Sequence, residues 1–226
     1  MGNNRLKKWA AFAALILLPA LGIYFIAKAQ WVHEPLKYYS AAYTGNDKSQ
    51  VEPIGDIVLF NQHGAKVTMA DLRGKIVLAN IFFATCPQVC PEMNKQIQSV
   101  AELFVENPDV QFITVTIDPE RDSIAQLKKV AAYFNADVYH RQFCTGNKGE
   151  IYDWAINDLM LAAQASPTDD FIHDDKVTII DKDGYIRGIL PTRAETKTDR
   201  LALIKRIQDD IDNLIYEYRK KELDKR

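Results

Sequence analysis

Hydrophobic positions along this chain follow three patterns: an unbroken run, alternation with period two, and spacings of three and four. The unbroken run comes first, as 19 uncharged residues, "WAAFAALILLPALGIYFIA", at positions 9–27. As a helix this run is about 28 Å long, close to the thickness of a bilayer core. Four basic residues and no acidic residue lie among the first 29. We therefore predict a cytoplasmic basic segment, residues 1–8, and a transmembrane anchor, residues 9–29.

The next segment, residues 30–51, is polar and is interrupted by Pro35 and Gly45. It shows no sustained period, so we interpret it as a tether. By the positive-inside rule, the chain crosses a bacterial inner (cytoplasmic) membrane once, and everything beyond the anchor lies on its periplasmic, extracytoplasmic side. Cleavage of the segment as a signal peptide is the alternative, because Ala27-Lys28-Ala29 has the small-x-small form of a cleavage site.

Residues 52–226 show ordered patterns that predict one α/β domain. Strands are predicted in "IVLFNQHGAKVTM", which turns at His63-Gly64, in the apolar "KIVLANIFFA", in "VQFITVTID", near residues 140–144, and around Asp183-Gly184. Helices are predicted from Pro91, from "SIAQLKKVAAYF" with Asp122 or Ser123 as its cap, over residues 148–162, and at the C-terminus. This order predicts a central mixed sheet with helices on both faces.

Charge excludes one class of partner. Beyond residue 29 the chain carries 24 basic and 30 acidic residues, a net charge of −6. Such a domain is poorly suited to bind nucleic acid or an anionic membrane surface. It is also large enough to fold without disulfides, so its cysteines suggest chemistry rather than stapling.

Two of the three cysteines lie in "NIFFATCPQVCPEM", directly after the apolar strand. Proline follows both Cys86 and Cys90, which predicts an extended or turn conformation for each and a helix that begins at Pro91 with Cys90 as its N-cap. There the helix dipole favours a thiolate, which both metal ligation and disulfide exchange require. The three intervening residues lean towards a soft metal ion such as Cu(I), but a disulfide stays open.

Three segments give the chain its resemblance to a known family. "CPQVCPEM" at 86–93 looks like the C-P-x-x-C-P signature of the SCO/SenC proteins, "VTIDPERDS" at 115–123 is similar to their D-P-E-R-D motif, and "FIHDDKVTIIDKDGYIRG" at 171–188 resembles their histidine segment. The resemblance spans roughly residues 52–215 and implies a thioredoxin-like fold. It also implies one copper ion bound by Cys86, Cys90 and His173, and a copper chaperone for cytochrome c oxidase assembly.

The partner implied by this family is a copper-acceptor subunit of a respiratory oxidase, with a thiol reductant or a copper donor as a further candidate. The alternative function is a thiol-disulfide oxidoreductase in which Cys86 and Cys90 are catalytic and reduce an exported acceptor. A thiol peroxidase is a weaker alternative, because no activating arginine motif stands beside the cysteines. Whether the protein is an enzyme is therefore open, with a metallochaperone favoured.

Three other residues have structural and functional interpretations. Cys144 is predicted to be a buried structural thiol, with an auxiliary redox or metal role as the alternative. Asp118 ends a strand at the sheet edge that carries the thiol loop, the segment with Cys86 and Cys90. Asp118 therefore either supports the metal site or forms the turn before Pro119. Met93 is predicted to belong to the core.

Overall fold

The computed structural model describes residues 9, 12, 15–24, 35–84, 89–137, 140–164, 172–173 and 175–225. The chain divides into two compact units, Met1–Pro35 and Leu36–Arg226. In the first unit, residues 9, 12 and 15–24 are helical and exposed. Among the described residues, no helix is both long enough and apolar enough to span a membrane. Residues 10, 11, 13, 14 and 25–29 of the predicted anchor lie outside the described residues.

The second unit contains eleven described strands and five described α-helices. The strands are β1 Tyr38–Ser40, β2 Tyr43–Gly45, β3 Val58–Asn61, β4 Lys66–Thr68, β5 Ile76–Phe82, β6 Val110–Thr116, β7 Arg141–Gly146, β8 Ala163–Gln164, β9 Ile172–His173, β10 Lys176–Ile180 and β11 Ile186–Pro191. The helices are α1 Met69–Leu72, α2 Val89–Leu103, α3 Ile124–Tyr133, α4 Lys148–Asp153 and α5 Lys197–Leu223. A 3₁₀ turn covers Lys48–Gln50, and a π-helical turn covers Trp154–Asp158.

Seven strands form the main sheet, in the order β11-β10-β5-β6-β7-β3-β4. Strands β5, β6 and β7 are parallel, and the outer strands on both sides are antiparallel to their neighbours. All residues of β5 and β6 are buried, as expected for nearly continuous apolar strands at the centre of a sheet. The predicted mixed sheet is confirmed.

Helices cover both faces of the sheet. Arg141 donates hydrogen bonds both to Thr114 in β6 and to the carbonyl of Asn94 in α2, so Thr114 faces α2. Asn80 lies opposite Thr114 in β5 and faces the same side. Helices α3 and α5 are next to α2 on this face. Because side chains alternate along a strand, Ala79 and its partner Thr178 face the other side. There the Thr178 hydroxyl donates to the carbonyl of Leu159, at the end of the π-helical turn, 2.8 Å away.

Both predicted hairpin turns are present and use glycine where the backbone requires it. Gly64 has φ 77° in the β3–β4 turn, and Gly184 has φ 88° in the β10–β11 turn. These values lie in the left-handed region, which glycine enters without steric cost. The turns predicted at His63-Gly64 and Asp183-Gly184 are therefore confirmed.

Helix α4 is shorter than the predicted helix over residues 148–162. It ends at Asp153 and continues as the π-helical turn. Met160 then has φ 59°, and the Leu161 N–H donates to the carbonyl of Ala155 at 2.8 Å. A left-handed residue with a bond back to the last turn is a common helix stop, and it returns the chain towards the sheet.

A small hairpin of β1 and β2 precedes the main sheet and is bound to it. The Arg187 guanidinium donates to the carbonyls of Leu36 at 2.6 Å and Lys37 at 3.3 Å. The Leu36 N–H in turn donates to Glu217 on α5 at 3.0 Å. Residues 36–51, predicted to be part of the tether, therefore belong to the second unit.

Candidate metal centre

Strand β5 leads the chain directly to the predicted thiol loop, and a buried carboxylate holds the start of that loop. The N–H of Ala84, two residues before Cys86, donates to Asp122 Oδ2 at 2.9 Å. The hydroxyl of Thr116 donates to the same oxygen at 2.5 Å. Asp122 is 1% exposed, and burial raises the pKa of its carboxyl. The base of the loop is thus tied to the segment between β6 and α3.

Asp118 builds the turn that carries Asp122. Its carbonyl accepts the N–H groups of Arg121 at 3.2 Å and of Asp122 at 2.9 Å, and its own N–H donates to the Thr116 hydroxyl at 3.0 Å. The buried carboxylate of Asp118 forms an ion pair with Arg121. The bonds to its carbonyl are those of a turn, the second of the two roles considered for this residue.

Helix α2 begins at Val89, so Cys90 lies inside its first turn. The prediction of Cys90 as N-cap and Pro91 as the first helical residue is wrong by two residues. Proline is tolerated throughout a first turn because the N–H groups there have no acceptor within the helix. The preference for an extended residue before proline yields to the helix at Cys90. The residue still lies at the positive end of the helix dipole, which favours a thiolate.

The predicted ligand His173 lies in β9, where its backbone is opposite Ala163 of β8. Two residues later, the carbonyl of Asp175 accepts the N–H of Thr192 at 2.6 Å and also its hydroxyl. Cys86 lies outside the described residues, and for Cys90 and His173 the structure describes the backbone alone. Among the side chains that are described, no group of three His, Cys, Asp or Glu residues could hold a metal ion. The three-ligand set therefore stays a prediction.

A cavity of about 250 Å³ lies between the first turns of α2 and the chain that follows β11. Thr192 lines it together with Glu92 and Met93, the second and third residues after Cys90. Because Thr192 is bonded to Asp175, the chain reaches one region of the surface two residues beyond Cys90 and two residues beyond His173. This backbone arrangement is compatible with a site that both residues share.

A second cavity, of about 300 Å³, adjoins the two ends of the thiol loop. Phe83 and Ala84 line it from the end of β5, and Pro91 lines it from the first turn of α2. Tyr133 and Phe134 close it from α3, and Tyr133 is 69% exposed. The described residues on either side of the loop therefore line a mainly apolar groove.

Cys144 and Met93 belong to the core, as predicted. Cys144 lies in β7, is a free thiol and is fully buried, and this burial raises the pKa of its thiol to about 12. A thiol with such a pKa is protonated at neutral pH and is a poor nucleophile and metal ligand. Met93 is 1% exposed.

Asp122 is the residue whose role the sequence did not reveal. The sequence predicts only a helix cap at Asp122 or Ser123. In the structure Ser123 is the cap, because its hydroxyl accepts the N–H of Gln126 at 3.3 Å. This leaves Asp122 to bind Ala84. The available signal was its position as the last residue of the D-P-E-R-D motif, at the same sheet edge as the cysteines.

Comparison with protein families identifies the architecture around this loop. A family model described as SCO1/SenC matches residues 46–209. The chain belongs to the SCO1/SenC family. The resemblance seen in its three sequence segments is thereby confirmed, and the matched range includes Cys86, Cys90 and His173.

Individual SCO1/SenC proteins match most of the second unit. The SCO1 protein homolog of Bacillus subtilis (strain 168) is 29% identical over 160 residues, which cover 70% of this chain and 76% of that protein. The structure of Bradyrhizobium japonicum ScoI with copper bound is 27% identical and covers 69% of this chain and 99% of that chain, with a TM-score of 0.57. A structure of BsSco is 25% identical and covers 72% of this chain and 92% of that chain, with a TM-score of 0.61. BsSco is described there as having a disulfide switch and as a member of the Sco family of cytochrome c oxidase assembly proteins.

Proposed function

We propose that this protein is a membrane-anchored copper chaperone that supports assembly of the copper centre in cytochrome c oxidase. The observation that carries the proposal is the SCO1/SenC match over residues 46–209, a range that contains both cysteines of the C-P-x-x-C-P signature. Copper in the structure of Bradyrhizobium japonicum ScoI, which is 27% identical, supports the choice of metal.

In this proposal Cys86, Cys90 and His173 bind one copper ion. Two thiolates and an imidazole are soft and borderline ligands that suit Cu(I). The position of Cys90 in the first turn of α2 supports its thiolate form, and the bonded pair Asp175 and Thr192 supports a position of His173 near that helix. The core position of Cys144 argues against a third thiol in the site.

Copper is the cargo of the protein, so the site must release it as well as bind it. We propose transfer by ligand exchange, in which donor groups of the acceptor replace Cys86, Cys90 and His173 one at a time. The acceptor would be a copper-binding oxidase subunit on the extracytoplasmic side of the membrane. The apolar run and the basic residues before it support the anchor and this orientation.

Anaerobic Cu(I) titration of the reduced full-length chain in detergent tests the proposal. We expect one bound equivalent, no binding at the same concentration after Cys86→Ser or Cys90→Ser, and a weaker affinity after His173→Ala. His63→Ala, in the β3–β4 turn, is the matched control and should leave affinity and stoichiometry unchanged. An unchanged affinity in His173→Ala would eliminate the three-ligand model.

A second candidate function is thiol-disulfide exchange, which is favoured by the disulfide switch described for BsSco. One thiolate would attack an acceptor disulfide and form a mixed disulfide, and the other would resolve it. The acceptor then gains two electrons as a dithiol, and Cys86 and Cys90 become a disulfide that a dithiol reductant must reduce. This reaction needs no histidine. Acceptor reduction that survives His173→Ala while copper affinity falls would show that both activities occur in this chain.

A further inference from the structure

Arg141 is a large cationic side chain that is enclosed in the core. It begins β7 and is 1% exposed. Its Nη1 donates to the carbonyl of Asn94 at 2.9 Å and to Gln98 Oε1 at 3.1 Å. Its Nη2 donates to Asn94 Oδ1 and to Thr114 Oγ1, the latter at 3.3 Å. The guanidinium thus lies between α2 and the centre of the sheet.

No carboxylate of the described residues forms an ion pair with Arg141, and its four hydrogen-bond acceptors are uncharged. Its other close neighbours are the rings of Phe143, 4.8 Å from the guanidinium carbon, and Phe134, 5.8 Å away. Burial lowers the pKa of Arg141 to about 9, so the group is still cationic at neutral pH. By contrast, the buried Arg187 pairs with Asp181 and Glu217. An uncompensated buried charge is costly, which calls for a negative partner elsewhere.

The position of Arg141 along α2 indicates what that partner is. Asn94, which binds the guanidinium through both its backbone and its side chain, lies four residues after Cys90. Four residues correspond to about 6 Å along a helix axis. Because Arg141 also binds Gln98, eight residues after Cys90, the cation lies between one and two turns beyond the predicted ligand, on the side of α2 that faces the sheet.

We propose that Arg141 is the electrostatic counter-charge of the thiol site and biases it towards Cu(I) over Cu(II). This inference rests on the proposed function. A complex of Cu(I) with two thiolates and a neutral imidazole carries one net negative charge, whereas the same complex of Cu(II) is neutral. A cation nearby stabilises the first more than the second. If the guanidinium and the copper complex are about 10 Å apart, in an effective dielectric constant of about 20, the cation raises the affinity for Cu(I) relative to Cu(II) about tenfold.

Two buried acidic residues follow β6, and neither is hydrogen-bonded to Arg141. Asp118 is paired with Arg121. Asp122 accepts hydrogen bonds from Ala84 and Thr116, and its burial disfavours the charged form. Among the described residues around α2, Arg141 is thus a buried cation without a carboxylate partner.

Four variants of the full-length chain test the proposal. Arg141→Met removes the charge, and Arg141→Lys keeps it. Gln98→Glu leaves Arg141 in place but puts a carboxylate against its Nη1. Ser99→Glu adds the same charge to the exposed side of α2, where the Ser99 hydroxyl contacts the carbonyl of Lys95, and is the matched control.

The first measurement is the ratio of Cu(I) affinity to Cu(II) affinity. We expect Arg141→Met and Gln98→Glu to lower this ratio about tenfold, and Arg141→Lys and Ser99→Glu to change it less than about twofold. The second measurement uses the copper-free, reduced chain and compares the alkylation rates of Cys86 and Cys90 with iodoacetate and with iodoacetamide. The ratio of the rate with the anionic reagent to the rate with the neutral reagent reports the local potential, because the fraction of thiolate cancels. This ratio should fall in Arg141→Met and in Gln98→Glu.

Unchanged ratios in a folded Arg141→Met variant would overturn the proposal, as would equal effects of Gln98→Glu and Ser99→Glu. If Arg141→Met does not fold, Gln98→Glu decides, because it conserves size at a half-buried position. The alkylation ratio also separates this inference from the proposed function. A wild-type chain that binds no copper would refute the chaperone, whereas the ratio would still show whether Arg141 sets the potential at the thiols.

Discussion

The N–H of Ala84 donates to Oδ2 of Asp122 at 2.9 Å, across 38 residues of sequence. This bond joins the end of the chain segment after β5, directly before the thiol loop, to the segment that leads into α3. It fixes one end of the loop, and the first turn of α2 fixes the other. The cysteine loop therefore follows a hydrogen bond to a buried carboxylate and leads into a helix.

Removing the Asp122 carboxylate should loosen the loop. Asp122→Ala leaves the Ala84 N–H and the Thr116 hydroxyl without their acceptor, which should lower the free energy of unfolding by about 1 to 3 kcal/mol. Copper affinity should fall about tenfold or more, as for other residues that orient metal ligands. Urea unfolding and Cu(I) competition check both effects. Asp109→Ala removes an exposed carboxylate paired with Lys182 and should do neither; a similar loss in that control would show that the effect is not specific.

Asp122→Asn should instead show a dependence on pH. Burial raises the pKa of Asp122 in the folded state. Such a group contributes stability that is fully present below its unfolded pKa, about 3.9, and is lost as pH rises through its folded pKa. Asparagine keeps the acceptor oxygen and is neutral at every pH. We therefore expect the variant to gain stability over wild type as pH rises from about 3 to about 7.5, measured by thermal unfolding. A difference that is constant over this range would contradict the assignment.

Cys144 should be unreactive in the folded protein. Its burial in β7 and its raised pKa of about 12 leave little accessible thiolate. Titration of the reduced native chain with a thiol reagent should modify two cysteines quickly and the third only in denaturant. Cys144→Ala should keep copper stoichiometry and cost roughly 1 kcal/mol of stability for the small cavity it creates. Fast modification of three native thiols would reopen an auxiliary role for this residue.

Arg187 should be important for stability rather than for the site. Its guanidinium pairs with Asp181 at 3.1 Å, both side chains being 1% exposed, and also binds Glu217 and the carbonyls of Leu36 and Lys37. Arg187→Met leaves the Asp181 charge buried and unpaired, so we expect a loss of about 3 to 5 kcal/mol.

The measurement for Arg187→Met is urea unfolding, with limited proteolysis to follow release of the β1–β2 hairpin. Lys205→Met is the control, because Lys205 pairs with Asp209 at the surface with 67% of its side chain exposed. An exposed pair of this kind contributes less than about 1 kcal/mol. Equal losses in the two variants would contradict a special role for the buried network.

Local pattern was sufficient to predict most of the main sheet. The apolar runs became the buried strands β5 and β6, and the dipeptides His63-Gly64 and Asp183-Gly184 became hairpin turns. The errors lie at element ends, as at Val89 in α2 and at Asp153 in α4. End positions depend on bonds from outside the element, such as the one between Leu161 and Ala155, and periodicity does not contain that information.

Sequence patterns alone establish the element order, the family signature and the position of two thiols after a buried strand. The surroundings of those thiols follow from the tertiary structure. Asp122 reaches Ala84 across 38 residues, and Arg141 reaches Asn94 across 47. Periodicity records which face of an element is apolar, but it does not record which distant polar group meets that face. That pairing follows from the path of the chain. It places near α2 a buried carboxylate, Asp122, and a buried cation, Arg141, that has no carboxylate partner among the described residues.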